Sequence, residues 1–335
     1  MRSLVIDISN IIFRTASVMV SKHGDGDIDE LIGITLHTTF NSVNKWFKKY
    51  HPDKFVFAFE GMNNWRKEYS ANKTLRKILY KGNRVKDPTM EHFGEVVQAF
   101  KEICETHTSI ICLSEPGTEA DDMIAGYVQK YEDDPDHEII IVSGDKDFIQ
   151  LLRRPNTFLV NSDDGKLRNQ PNCKIYYDDV NYFLFEKCIR GDKGDNVHSA
   201  FPRVRETKIK QAYTDDFFRL SFMDEKWKGI FDGQELEVRV GDLFEENRVL
   251  MDLWMQPPEI REKIQAGVDR CIASHSKYSN FHFMRFLGKY KLMSITNSIM
   301  KYTDMLACNQ LSKAKHQPSV HEHEQTKTHD DLFVF

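Results

Sequence analysis

SLVIDIS (3–9) is a short apolar run, rich in β-branched residues, that ends near Asp7. Runs of the same kind recur as KFVFAFEG (54–61), SIICL (109–113) and the start of HEIIIVSGDKDFIQLL (137–152). None alternates polar with apolar residues, so each reads as a strand too apolar for an exposed face. Helical spacing fills the intervals. Glu30 to Tyr50 carries Leu31, Ile34, Phe40, Val43 and Phe47 at such spacing, a second helix is expected from about Met90 to Thr106, and others open at EADDMIAGY and after GDKDF. Strands alternating with helices predict an α/β fold: a mostly parallel central sheet with helices on both faces.

After about residue 180 the pattern turns helical, with stretches at 181–197, 204–214, 243–255, 257–273 and 280–303. The expected organisation is an α/β core over 1–180, a helical region over 181–305 packed against it, and a flexible tail over 306–335. From about Leu311 the tail is polar and His/Gln-rich, the composition of a disordered segment. There are no internal repeats.

Composition adds limits. In 335 residues, 29% charged and 40% apolar, no apolar run reaches the ~20 residues of a membrane span, and the N-terminus lacks a signal-peptide pattern. The six cysteines form no CxxC pair, which suits reduced thiols in a cytoplasmic protein. A net charge of −5 argues against a nucleic-acid partner, but the charges are segregated. Between Met62 and Lys86, eight cations (Arg66, Lys67, Lys73, Arg76, Lys77, Lys81, Arg84, Lys86) face the single acid Glu68, with Trp65, Tyr69 and Tyr80 among them. A generic basic run is a solvated helix face; cations interleaved with aromatics suit phosphates and exposed bases.

The acids change the picture most. Ligands of open α/β sheets sit beyond the carboxyl ends of the strands. Asp7 follows the first strand, Glu60 the second, Glu119, Asp121 and Asp122 the third, Asp145 and Asp147 the fourth, while Asp192 and Asp195 lie in GDKGDN between helices. Each alone reads as a cap or turn residue. Carboxylates after every one of these strands are hard to assign to capping, and together they would repel unless cations were bound. Mg²⁺ prefers such hard oxygen donors. Two ions about 3.5–4 Å apart would activate water and neutralise a leaving 3′ oxygen. Glu119 and Asp122, three apart, share a helix face. GDGDIDE (24–30) begins like a calcium loop, but Glu30 and Leu36 occupy its sixth and twelfth positions, so it reads as a solvated loop, as does HEHE (321–324). No Ser-His-Asp arrangement, Walker loop or GxGxxG stands against a metal site.

VIDIS, YKGNR, EADDMIA, SGDKDFIQL and GDKGDNV, in that order, resemble the 5′ nuclease family of flap endonucleases and 5′→3′ exonucleases, nearest its primer-removing phage members. The likeness covers roughly residues 1–303, including LFEENRVLMDLWMQPPEI and LGKYKLMSITNSI. It implies a PIN-like core with a basic helical arch at about 62–90 and a helix-hairpin-helix-like segment at about 191–214. It also implies a hydrolase that removes RNA primers or 5′ flaps with two Mg²⁺ ions, Mn²⁺ being a substitute. Lys81 and Arg84 would contact the scissile phosphate, and Tyr80 would stack on the neighbouring base. Arg66, Lys67, Lys73, Arg76 and Lys77 would line the arch. Asp7, Glu60, Glu119 and Asp121 would serve one metal, and Asp122, Asp145, Asp147, Asp192 and Asp195 the other.

Two departures from the family stand out. Glu60 replaces its usual Asp. The hairpin HSAFPRVRETKIKQA lacks glycine from 198 to 212, which argues against a φ > 0 turn and leaves Arg203, Arg205, Lys208 and Lys210 to hold the duplex. The resemblance further implies a cytoplasmic monomer, without membrane contact, acting on DNA and RNA–DNA duplexes with 5′ ends or flaps in an infected bacterial cell. A sliding clamp and a single-stranded-DNA-binding protein would be partners. THDDLFVF would then present Leu332, Phe333 and Phe335 to the clamp. A PIN-like ribonuclease and a branched-DNA-binding module without catalysis are the competing classes.

Overall fold

The computed structural model describes residues 1–23, 28–85, 93–231 and 233–310. β1 (Arg2–Asp7), buried along its whole length, runs directly into α1 (Ile8–His23). α2 (Ile28–Tyr50), β2 (Lys54–Ala58), α3 (Trp65–Asn72), α4 (Phe93–His107) and β3 (Ile111–Leu113) follow. Next come α5 (Ala120–Lys130), β4 (Glu138–Val142), a 3₁₀ helix (Lys146–Arg153) and β5 (Thr157–Val160). Beyond them lie α6 (Val180–Arg190), α7 (Glu206–Thr214), α8 (Asp216–Asp224), β6 (Lys226–Phe231), β7 (Gln234–Arg239), α9 (Val240–Met251), α10 (Pro258–Ser274) and α11 (Asn280–Lys289). Short helical turns continue to Gln310.

Strands β1–β5 form one parallel sheet in the order β3-β2-β1-β4-β5. Side chains of β1 alternate between two layers. Leu4 and Ile6 enter a core with α1, α2, α4 and α11, while Val5 enters another with α5, the 3₁₀ helix and α10. Covering both faces is what allows the strands to be almost wholly apolar. All the carboxyl ends therefore open on the same edge of the sheet.

The α/β fold class holds, with local differences. TFLV (157–160) adds a fifth strand, too short to stand out by pattern. α1, which the expected elements omit, has Ile8, Ile11, Ile12 and Ala16 on its buried side. A β6–β7 hairpin interrupts the expected all-helical region. Its period-2 burial turns Trp227, Phe231 and Val238 towards α9 and leaves Lys226, Lys228 and Ile230 exposed. The final long helix ends at Lys289, because Lys291 adopts a left-handed φ of 53°. The glycine-free hairpin does contain a φ > 0 turn, at Arg203 (φ 58°). That costs about 1–2 kcal/mol for a non-glycine. The turn is tied down on its N-terminal side by Ser199 Oγ donating to Ile189 O (2.9 Å) and Trp227 Nε1 donating to Ala200 O (2.9 Å). In the basic segment α3 is followed by turns as far as Val85, and the rest of the expected arch lies outside the described residues. So does the tail from 311, with Leu332, Phe333 and Phe335. Among the described residues no helix is long and apolar enough to cross a membrane.

Candidate active site

Five carboxylates meet at the carboxyl edge of the sheet. Asp7, at the end of β1, accepts hydrogen bonds from Ser143 Oγ (2.9 Å) and Asn10 N (3.2 Å). Ser143 Oγ also accepts from Asp145 N (3.0 Å), tying the loop after β4 to β1. Asp145 caps the 3₁₀ helix by accepting from Asp147 N (2.8 Å). Glu60, just past β2, accepts from Ala120 N (3.2 Å), which brings it to the first turn of α5, where Glu119 and Asp121 stand.

Their electrostatics follow from this crowding. Burial, followed by Asp145, pushes Asp7 up to about 6. Glu60 stays solvent-accessible as a residue, yet desolvation of its carboxyl, then Glu119 and Asp7, push it up to about 7. Asp121 is raised well above the carboxylate range by burial, then by Asp145, Asp7, Glu119 and Glu60. Among the described residues no three ligands converge closely enough to cage an ion outright. The ring is open, and Mg²⁺-type ions need little more, since they keep several waters and use few carboxylates. An all-oxygen donor set in which each acid raises the next fits a hard divalent cation.

A second group of acids is neutralised by protein cations. Lys81 pairs with Glu119, and Arg84 Nη2 with Asp195 Oδ1 (2.8 Å). Backbone bonding from Lys81 N to Asp195 O (2.8 Å) fixes this rim. Lys187 of α6, absent from the sequence-derived site, is buried between Asp147 and Asp192, its Nζ pairing with the first and 3.2 Å from the second. Burial opposes its charge, but these acids outweigh that and carry it up to about 12. Its signal in the sequence is a lysine inside the apolar stripe of Phe183, Leu184 and Cys188, where a charge must be paired. Asp147 Oδ1 remains buried without a partner.

Four expected roles need correction. Arg66 is buried, not a nucleic-acid contact: it donates to Asp122 Oδ1 and Oδ2 (2.7 Å each), Glu119 Oε2 (3.2 Å) and Leu250 O (2.8 Å). Asp122 is correspondingly spent. It faces Arg66, Trp65 Nε1 (3.0 Å) and Glu119 N (3.0 Å), which overcome the effect of burial and hold it below the usual carboxylate range, so it is not placed as a metal ligand. Arg76 is buried against Glu246 (3.0 Å), Asn247 and His198 O (2.7 Å). Tyr80 is buried too, its hydroxyl donating to Glu119 (3.1 Å) and Asp195 (2.7 Å), so its ring is not free to stack on a base. The density of cations and aromatics over 62–86 predicts Arg66, Arg76 and Tyr80 facing nucleic acid, but their partners come from segments distant along the chain, and Arg66 is what takes Asp122 out of the ring.

Lys67, Lys73 and Lys77 are exposed, alongside exposed Met62, Leu75, Leu79 and Val85. Arg203, Arg205 and Lys210 are exposed on the α6–α7 connection and α7, while Lys208 is half-buried against Glu225 (2.7 Å).

Residues 2–178 match the model of the 5′-3′ exonuclease N-terminal resolvase-like domain. Ribonuclease H of Enterobacteria phage T4 is 25% identical over 316 residues, covering 89% of this chain and 95% of that protein. Flap endonuclease Xni of Tolumonas auensis is 28% identical over 151 residues, covering 44% of this chain and 53% of its own. Among solved structures, the bacteriophage T5 D15 protein co-crystallised with metal ions shares the fold at a TM-score of 0.56 and 17% identity, covering 81% of this chain and all (100%) of that one. A T5 D15 flap endonuclease complex with DNA and metal ions gives 0.54 at 18%, covering 87% and 100%. With its carboxylate edge and more than half its length matched in one family model, the chain belongs to the 5′-3′ exonuclease family of 5′ nucleases, hydrolases of phosphodiester bonds.

Proposed function

We propose that the chain is a Mg²⁺-dependent, structure-specific 5′ nuclease that removes RNA primers or 5′ flaps during replication. The observation that carries this is the meeting of Asp7, Glu60, Glu119, Asp121 and Asp145, from separate βα junctions, beside the Lys81–Arg84 rim. The names of relatives that are ribonuclease H and flap endonuclease, and a neighbour held with DNA and metal ions, support it.

The roles follow from the contacts. Divalent ions at the ring would supply the Lewis-acid charge that activates water and stabilises the leaving 3′ oxygen. Lys81 and Arg84, now held by Glu119 and Asp195, would exchange those carboxylates for oxygens of the scissile phosphate, placing preorganised charge where it develops. Tyr80 orients Glu119 and Asp195 through its hydroxyl. Lys187 neutralises Asp147 and Asp192, which would help to hold a second cation. Lys67, Lys73 and Lys77 hold the single strand, and Arg203, Arg205, Lys208 and Lys210 the duplex. DNA and RNA–DNA with 5′ ends are the substrates of a monomer in the cytoplasm of an infected bacterium, with a sliding clamp and a single-stranded-DNA-binding protein as partners.

A 5′-labelled flap and an RNA-primed duplex, each incubated with Mg²⁺, with Mn²⁺ or with chelator, test the proposal. Short 5′ products should appear only with metal; no metal-dependent product from either substrate would end it.

A further inference from the structure

A second basic cluster stands at the β4–β5 end of the same edge, unused by the chemistry above. A cavity of about 480 Å³ there is lined by Arg14 of α1, Lys146 at the start of the 3₁₀ helix and Arg168 beyond β5. Arg14 donates to Ser162 Oγ (3.0 Å) and pairs with Asp163. Among the described residues, neither Lys146 nor Arg168 lies within ion-pair distance of a carboxylate. With Asp145 counted in the ring, three cations face Asp163 alone in this lining.

The cavity reaches the ring itself. Gly144, next to Asp145, forms part of its wall, and a Cβ there would lie 3.4 Å from Ser162 Oγ, 3.5 Å from Arg14 Nη1 and 3.8 Å from Asn10 Oδ1. Three polar atoms thus converge where this residue has no side chain, and Asn10 Oδ1 is without a partner. Ile149 and Ile175 supply an apolar wall. The sheet order sets the direction: Glu119, which holds Lys81, follows edge strand β3, whereas this cavity lies over β4 and β5 at the other edge.

We infer that this cavity is a subsite for a backbone phosphate of the nucleic-acid strand, a nucleotide or two from the scissile one and across the carboxylate ring from Lys81 and Arg84. The inference rests on the nuclease reading, because it takes the ring as the place of the scissile phosphate. Lys146 and Arg168, without a carboxylate partner among the described residues, and Arg14, shared with Asp163, address phosphate oxygens beside the Ser162 hydroxyl without reading sequence, so the subsite would set strand register rather than base preference. A chain with one phosphate grip would fix only a point of the strand; two grips flanking the ring fix its direction through it.

The test uses the full chain with Arg14→Gln, Arg168→Gln and the double variant, binding a fluorescent 5′-flap DNA in chelator across a salt series. Loss of one phosphate contact should lower the slope of log K against log salt by about 0.9, and the double variant by about twice that. Arg168→Lys, which keeps the charge, should retain the wild-type slope, and melting curves show that each variant is folded. A scan of single methylphosphonate linkages should find one or two positions that weaken wild-type binding but not that of the double variant. An unchanged slope, or additive losses at every linkage, overturns the subsite. Inorganic phosphate competing at the cavity while the DNA slope stays unchanged would make it a free-anion site and likewise overturn it. Cleavage of the same flap with Mg²⁺ is scored separately. A slope change in a protein that never cleaves would keep the phosphate grip and remove the nuclease reading; cleavage without a slope change does the reverse.

Discussion

Arg66→Met would remove the cation that neutralises the buried side of α5. Arg66 is 2% exposed and Asp122 0%, and the arginine makes four hydrogen bonds of 2.7–3.2 Å, two of them to Asp122. Methionine approximates the stem of the side chain, so the loss is mainly that of charge and donors. Breaking a buried pair from one side costs about 3–5 kcal/mol, because the partner keeps its desolvation penalty. Glu119 retains Lys81 and Tyr80, but Asp122 keeps only Trp65 Nε1, Glu119 N and a 3.4 Å contact from Gln256. In the wild type, burial raises the pKa of Asp122 and Arg66 more than reverses this, so the net shift is downward. Its contribution is therefore present above the ordinary carboxylate pKa of about 3.9 and lost as pH falls through the folded value. In the variant burial is opposed only by the hydrogen bonds from Trp65 Nε1 and Glu119 N, so this contribution shrinks. Urea unfolding followed by circular dichroism at pH 7 in chelator should show a loss of about 3–5 kcal/mol, of which Arg66→Met/Asp122→Asn regains at least half, since removing both charges removes the unpaired one. A loss below about 1 kcal/mol, or a double variant no more stable than the single, would refute the pairing. A fall of about one unit in the salt slope of DNA binding by the folded variant would restore Arg66 as a phosphate contact.

Three further outcomes are expected. Tyr80→Phe keeps the ring and loses two charge-directed hydrogen bonds, so kcat should fall about tenfold with KM little changed; a silent substitution would return Tyr80 to a stacking role. Asp7 and Glu60, raised to about 6 and 7, bind more protons folded than unfolded, so their contribution falls as pH rises from about 4 to 7. His137, lowered to about 4, acts oppositely; the difference between melting curves of wild type and Glu60→Gln in chelator isolates the acid, and a flat difference would contradict its crowding. Lys187→Met should lower the melting temperature in chelator, where Asp147 and Asp192 are left facing each other, and Mg²⁺ should recover more of the loss in the variant than it adds to wild type; equal Mg²⁺ effects would mean that Lys187 and the metal do not share these acids.

The sheet was legible because its signal is local and strong. Strands covered on both faces are continuous apolar runs, and their carboxyl ends are marked by acids that a solvated loop does not need. Asp7, Glu60 and Asp145 could be found for the same reason, each standing at or within three residues of a strand's end, while Glu119 and Asp121 mark the start of the helix that follows β3. Burial of the basic segment could not. Whether Arg66 faces solvent or Asp122 depends on α5 and on Leu250, 184 residues away in sequence, and nothing in NWRKEYSANK records that. Lys187 was hidden because one lysine on an otherwise apolar helix face declares a partner but not which one. The β6–β7 hairpin was missed through its mixture of exposed glutamates and lysines, which suits a helix as well as a strand until Trp227 is seen anchored to Ala200 O. The positive φ of Arg203 was missed because glycine is the usual but not the only residue that can be held there.

Anomalous diffraction from crystals soaked in Mn²⁺ tests the central claim most directly. The strongest peak should lie among Asp7, Glu60, Glu119, Asp121 and Asp145, and Asp121→Asn should weaken it. A peak elsewhere, or a ring that stays without one at saturating Mn²⁺, would contradict it.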